Sequence, residues 1–374
     1  MLRLLVLLSV SSVFVLGFTN EGEAAPPASD AKTKAVVQLV ERLKGTVTYG
    51  PTGVVTGIEL PEWAAKDELM PQICSVSTLE RLKLHGTGLS DKGASQLAKL
   101  PNLRQIYLLF TGVTDQGLAP LRSMPKLEVV DLRGTVRHTD AGLAHLKGLK
   151  KLRVVKIQNP GVTDAGIAHL IGHRGLTTLA LEQTSVTDEG LAVVEKFPLL
   201  TELSLLECPS FTDAGLKHLS SLPKLTRLSL RATTINGTGL GVLAKLPKLQ
   251  RLDISQTMSS DVALAKVDGL KDLTWLNLWA TEIGDAGLAK IASLEKLTWL
   301  NLNNTRISNQ GLKHLGRLVN LTYLNLQQAD ITDAGLAPLE NLKRLADLDL
   351  TVTFVTPEGG KRLQGKLLNC KIQW

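Results

Sequence analysis

A Thr-Asp pair, followed two residues later by Gly-Leu in most copies, returns along this chain at a fixed step. The aspartates stand at Asp91, Asp115, Asp140, Asp164, Asp188 and Asp213, then at Asp261, Asp285 and Asp333. Gly237, Asn309 and Pro357 fill three further places in the same register. The step is 24 residues, stretched to 25 twice. A unit this small cannot bury its own apolar face, so a constant period of this length marks a chain that stacks one unit on the next. The 374 residues would otherwise suffice for two or three domains. A stacked array needs only one elongated core.

Residues 273–296 display one unit. Leu276 and Leu278 alternate with Asn277 and Trp279, which is strand period. Ile283 closes a turn, and Leu288, Ile291 and Leu294 follow at helical spacing. The frame returns at Leu79, Leu103, Leu127, Leu152, Leu176, Leu200, Leu225, Leu249, Leu297, Leu321 and Leu345. Stacking puts the strands into a parallel sheet on one face and the helices on the other. The threonine of each pair is placed to cap the helix N-terminus, and the aspartate suits the positive end of the helix dipole. The glycine gives room where neighbouring units meet. A row of acids set by the repeat is a capping row, not a metal site.

The string L-x-x-L-x-L-x-x-T-x-ϕ-T-D-x-G-L, with ϕ apolar, resembles the leucine-rich repeat over residues 54–374. It is most similar to the T-D-x-G-L variety of secreted bacterial repeat proteins and of the repeats in F-box adaptors. The resemblance implies an α/β solenoid of about twelve units, a horseshoe or arc with the parallel sheet on its concave face and short helices outside. It implies a binding surface for ligands of many kinds. The column often filled by Asn in that family is mostly Thr here, and Cys208 shares it, so that thiol reads as a buried ladder residue. Cys74 and Cys370 fall in other parts of the array, so no disulfide is expected.

Four segments are expected. Residues 1–24 read as a secretory signal peptide: Arg3 precedes an apolar or small stretch, Leu4 to Phe18. That stretch is shorter than the ~20 residues of a membrane-spanning helix. Cleavage fits after Ala24 or after Gly17, and an uncleaved anchor is the alternative reading. Residues 25–53 form an N-terminal cap with an amphipathic helix and the start of a hairpin. Residues 54–360 are the repeats. Residues 361–374 supply a last short strand, with Trp374 closing the core.

The residues between the strand leucines face outward. Strands ~4.8 Å apart make twelve of them a face about 55 Å long, which suits a protein, peptide or polymer better than a metabolite. Its first half mixes charges, with Arg227, Arg231 and Arg251 at its end. Its second half carries Trp275, Trp279, Trp299 and Tyr323 beside Asn277, Asn301 and Asn325. Only 4% of the chain is aromatic, yet three of five tryptophans fall here, and exposed aromatics beside polar groups are what a binding hot spot uses.

No catalytic constellation is legible. His145, His169, His218 and His314 share one outer column and lack zinc-ligand spacing. Gly237-Thr238-Gly239-Leu240-Gly241 has no following Lys-Ser/Thr as a phosphate loop requires. A net charge of +7, without a run of like charges, does not imply nucleic acid. The reading is an exported, non-enzymatic protein without cofactor or metal, secreted or held in the periplasm or cell envelope. It recognises a protein or peptide partner through the concave face, contacting Trp275, Trp279, Trp299, Tyr323 and the three asparagines, with the three arginines as an electrostatic flank. A carbohydrate or cell-wall surface is the alternative. A ubiquitin-ligase adaptor is weaker, because the segment before the repeats offers one short helix where an F-box would stand.

Overall fold

The computed structural model describes residues 30–374, apart from residue 266 and the side chain of residue 268. Among the described residues, fifteen strands form one open sheet in strict chain order. They are β1 (Thr46–Tyr49), β2 (Val55–Glu59), β3 (Arg81–His85), β4 (Gln105–Leu109), β5 (Val129–Arg133), β6 (Val154–Gln158), β7 (Thr178–Glu182) and β8 (Glu202–Ser204), followed by β9 (Arg227–Ser229), β10 (Arg251–Asp253), β11 (Trp275–Asn277), β12 (Trp299–Asn301), β13 (Tyr323–Asn325), β14 (Asp347–Asp349) and β15 (Lys371–Gln373). β1 and β2 are antiparallel, and every later pairing is parallel. The twelve repeat strands are β3 to β14, flanked by the hairpin β1–β2, whose second strand pairs in parallel with β3, and by the last short strand β15.

The leucine frame becomes one continuous core running from Val36 to Ile372. Leu276, Leu300 and Leu324 lie side by side on adjacent strands and are fully buried. Fully burying one such side chain stabilises by about 1.5–3 kcal/mol, which is how short, individually unstable units hold together. The helical halves are brief: Asp115–Leu118 is α-helical, then Ala119–Ser123 tightens to a 3-10 turn. A glycine in the third position weakens the helix, and the 24-residue unit leaves little length for more.

The Thr-Asp pair works differently from the sequence expectation. The threonine hydroxyls of Thr114, Thr139, Thr163 and Thr212 do accept the N–H two residues on, at 3.2–3.3 Å. Thr187 and Thr332 make no such cap. The aspartate serves more than its own helix dipole, because it reaches into the next unit. Asp91 accepts the N–H of Thr114 at 2.7 Å and its hydroxyl at 2.6 Å. Asp140 and Thr163, Asp164 and Thr187, and Asp188 and Thr212 repeat the arrangement. The repeat glycine follows from it: a Cβ on Gly117 would come 2.3 Å from Asp91 Oδ1, and one on Gly190 would come 1.9 Å from Asp164 Oδ1.

The threonine column turns inward. Thr233, Thr257, Thr281 and Thr305 each donate the hydroxyl to the carbonyl three residues back, at 2.6–2.7 Å. Cys208, in the same column, points its thiol at the Leu181 carbonyl at 2.7 Å, and burial pushes that thiol's pKa up. Cys74 and Cys370 are buried as well. Trp374 lies over Gly360, where a Cβ would meet its ring at 2.4 Å. The ring stays 39% exposed, so it covers the end of the core only in part.

Candidate binding surface

The parallel register places the sequence-predicted residues in three columns on the open face of the sheet. The first column runs Arg227, Arg251, Trp275, Trp299, Tyr323, one residue per strand from β9 to β13. The second runs Ser229, Asp253, Asn277, Asn301, Asn325 on the same strands. Trp279 and Arg231 stand two residues beyond the second column, just past their strands.

The rings of the first column are stacked. Trp275 and Trp299 have centroids 4.3 Å apart and planes 11° from parallel, and Trp299 and Tyr323 are 4.9 Å apart at 4°. Strands repeat at ~4.8 Å, so the rings face each other along the sheet and turn their edges to the open side. The Arg251 guanidinium caps the row, 4.7 Å from the Trp275 centroid. Both faces of Trp299 are therefore covered by neighbouring rings, and one face of Trp275 by a cation. These rings are half-buried rather than freely exposed as the sequence suggested. Among the described residues, the indole N–H groups of Trp275, Trp279 and Trp299 have no hydrogen-bond partner.

Arg231 reaches across the small Ser255 position to Trp279, with 5.2 Å from its guanidinium carbon to the ring centroid, and donates Nε–H to Gln256 Oε1 at 2.8 Å. Arg227 pairs with Glu202 at 3.1 Å. Burial, then the like charge of Arg227, lowers the Arg251 pKa. Burial raises that of Asp253, whose Oδ1 accepts from the Ser255 N–H at 3.0 Å and hydroxyl at 2.6 Å.

The three asparagines differ from the expectation of exposed amides. Asn277 and Asn325 are buried, each 8% exposed, and Asn301 is half-buried. Each amide oxygen accepts the backbone N–H two residues on: Trp279 at 3.2 Å, Asn303 at 2.9 Å, Gln327 at 2.8 Å. Asp253 and Asp349 do the same for Ser255 and Thr351. The column satisfies the backbone where each strand ends, and an Asn or Asp oxygen does this well. The asparagines thus support the aromatic row rather than extending it.

A second aromatic group escaped the sequence reading. Trp63, His85 and Phe110 gather near the other end of the sheet, with centroids 4.8 Å apart for Trp63–His85 and 5.1 Å for His85–Phe110. The Trp63 N–H donates to His85 Nδ1 at 3.1 Å. Trp63 and Phe110 both have positive φ, +63° and +52°, an uncommon backbone state for bulky residues. Gly86 and Gly134 leave space for them: a Cβ on Gly134 would strike the Phe110 ring at 2.4 Å. Those two glycines were the only sequence signal.

Among the described residues, no group of three or more His, Cys, Asp or Glu side chains is placed to hold a metal ion, and no helix is long and apolar enough to cross a membrane. The expected signal peptide lies outside the described residues.

The chain matches the family model for a leucine-rich repeat region over residues 59–279 and 181–369. No curated protein sequence matches it. Among solved structures it is similar to an internalin from Listeria monocytogenes at 22% identity, with 85% of this chain and 94% of that one covered and a TM-score of 0.61. It is also similar to a leucine-rich-repeat protein of Leptospira interrogans at 16% identity, with 94% and 100% covered and a TM-score of 0.56. At these identities the likeness concerns the fold. The open parallel sheet, the single leucine core and the family match together place this chain in the leucine-rich-repeat family.

Proposed function

We propose that this protein is an exported binding protein that recognises a protein partner through the open face of its sheet at β9 to β13. The observation that carries the reading is the stacked row Arg251–Trp275–Trp299–Tyr323. It presents a rigid, half-buried strip whose ring edges and indole N–H groups remain available. Rigid aromatic anchors with unused donors are what protein interfaces build their hot spots from.

The same observation weighs against the carbohydrate reading. A sugar packs its C–H face on an aromatic ring face, and the Trp299 faces are both taken. Export rests on the apolar stretch behind Arg3. The internalin and Leptospira neighbours support the scaffold and leave the partner open. The adaptor reading gains no support from residues 30–59, which hold the helix Ala31–Arg42 and the β1–β2 pair.

The test is affinity capture with residues 25–374 from extracellular and envelope protein fractions, beside pull-down on cell-wall polysaccharide. The reading expects a protein captured by the wild type and lost with the Trp275→Ala/Trp299→Ala double variant. Retention on polysaccharide that the double variant abolishes, with no protein captured, would replace it with the carbohydrate alternative.

A further inference from the structure

The chemistry of the partner follows from which polar groups on this strip lack a counterpart. Arg251 makes no hydrogen bond or ion pair among the described residues. Its guanidinium carbon lies 4.7 Å from the Trp275 ring centroid, a contact that restrains the side chain without using its N–H donors. Arg231 is held the same way over Trp279 and uses one N–H on Gln256. Of the carboxylates close by, Glu202 pairs with Arg227, and Asp253 bonds Ser255 while its charge acts on Arg251 and Arg231 without a hydrogen bond to either. The indole N–H groups add donors, and Asn303 Oδ1, one repeat beyond Trp279, is an acceptor without a partner among the described residues. The strip is therefore rich in fixed donors at β9 to β11 and aromatic through β13. It turns acidic at β14, where Asp347 is exposed and in register with Tyr323.

We propose that this strip takes an acidic peptide segment of the partner. Its carboxylate side chains dock on Arg251 and Arg231, and apolar residues follow along the edges of Trp275, Trp299 and Tyr323. The inference rests on the protein-partner reading above and specifies its chemistry. Guanidinium groups bind carboxylates through paired N–H donors, and a stacked guanidinium has less side-chain freedom to lose on binding. The gradient from Arg251 to Asp347 also sets direction: the acidic end of the segment lies over β9 and β10, away from β14. The covered faces of Trp275 and Trp299 argue against an anionic polysaccharide as the source of the negative charge.

The experiment titrates the full chain with blocked hexaglutamate, hexalysine and hexaserine peptides and with inorganic phosphate, following tryptophan fluorescence. The expected result is saturable binding of hexaglutamate alone, weakened by salt and reduced about tenfold or more in Arg231→Gln/Arg251→Gln, as loss of a close charge contact implies. Arg251→Lys, which keeps the charge without the planar fork, should fall between. Thermal unfolding of each variant separates lost folding from lost binding. Absence of saturable hexaglutamate binding, equal binding of hexalysine, or no effect of the arginine changes would overturn the inference. Phosphate binding as tightly as the peptide would reduce the site to a simple anion site and overturn it too. A captured protein that loses binding with Trp275→Ala/Trp299→Ala but keeps it with Arg231→Gln/Arg251→Gln would sink the acidic segment and leave the protein-partner reading standing. Indifference to both variants would sink that reading itself.

Discussion

Asp164 accepts the Thr187 N–H at 2.8 Å and its hydroxyl at 2.6 Å, so one carboxylate joins two consecutive units by two bonds. The same carboxylate occupies the space that a side chain on Gly190 would need. The capping row of one unit is thereby the glue to the next, and the recurring spacing of Thr, Asp and Gly is one device with three parts.

Asp164→Ala strands the Thr187 N–H and hydroxyl and should destabilise by about 1–3 kcal/mol. Gly190→Ala forces its methyl against the carboxylate and should cost a similar ~1–3 kcal/mol. Because the two defects share one contact, the double variant should lose clearly less than their sum. Urea unfolding of the four proteins measures this, and strict additivity would mean that Gly190 serves something other than Asp164.

His138 sits in the apolar column that Val113, Val162 and Val186 fill in neighbouring units, and it is 1% exposed. Among the described residues its ring nitrogens have no hydrogen bond of good geometry, and burial lowers its pKa against the opposing pull of Asp115 and the Thr135 backbone. His138→Val removes a buried polar group that lacks a well-formed hydrogen bond and should stabilise by about 1–2 kcal/mol. A fall in the unfolding midpoint would show that the imidazole has a role the apolar column does not share.

Trp299 stacks on rings at both faces, and each such ring pair adds about 0.5–1.5 kcal/mol beyond area burial. Trp299→Ala should therefore destabilise by roughly 1–3 kcal/mol from the two ring pairs, and more than Tyr323→Ala, which breaks one. Thermal unfolding of the two variants decides the order.

His85 accepts the Trp63 N–H at Nδ1 and has its pKa lowered, first by burial, with Lys83 adding to the effect and Glu62 opposing it. The unfolded chain takes the proton more readily, near pH 6.5. The contribution of this contact is complete above that pH and declines as pH falls below it toward the folded value. Acidification should shift the Trp63 fluorescence, isolated by subtracting a Trp63→Phe variant, and His85→Gln should flatten that response. A pH-independent Trp63 signal in the wild type would contradict the assignment.

Much of this fold was legible because its information is periodic. Leu276, Leu300 and Leu324 announce a shared core by their 24-residue spacing, and the same spacing puts Trp275, Trp299 and Tyr323 in one column. The consequence of that column, rings occupying each other's faces, depends on strand separation and ring orientation. The asparagines misled for a related reason. An amide on a sheet face reads as a ligand group, whereas the backbone N–H of Trp279 or Gln327, turned inward where the strand ends, claims it first. The Asp–Thr bonds join residues 23–24 apart, beyond any local window. Trp63 and Phe110 carry no periodic signal, because the left-handed strand-exit column to which Phe110 belongs also accepts Gln183, Ala232, Asn304 and Val352.

The central claim, that a protein partner lies along β9 to β13, is tested most directly by hydroxyl-radical footprinting of the complex with the captured partner. Protection should concentrate on Trp275, Trp279, Trp299 and Tyr323, with the outer helices unchanged. Protection confined to Trp63 and Phe110, or to the helical face, with the stacked row left fully reactive, would contradict it.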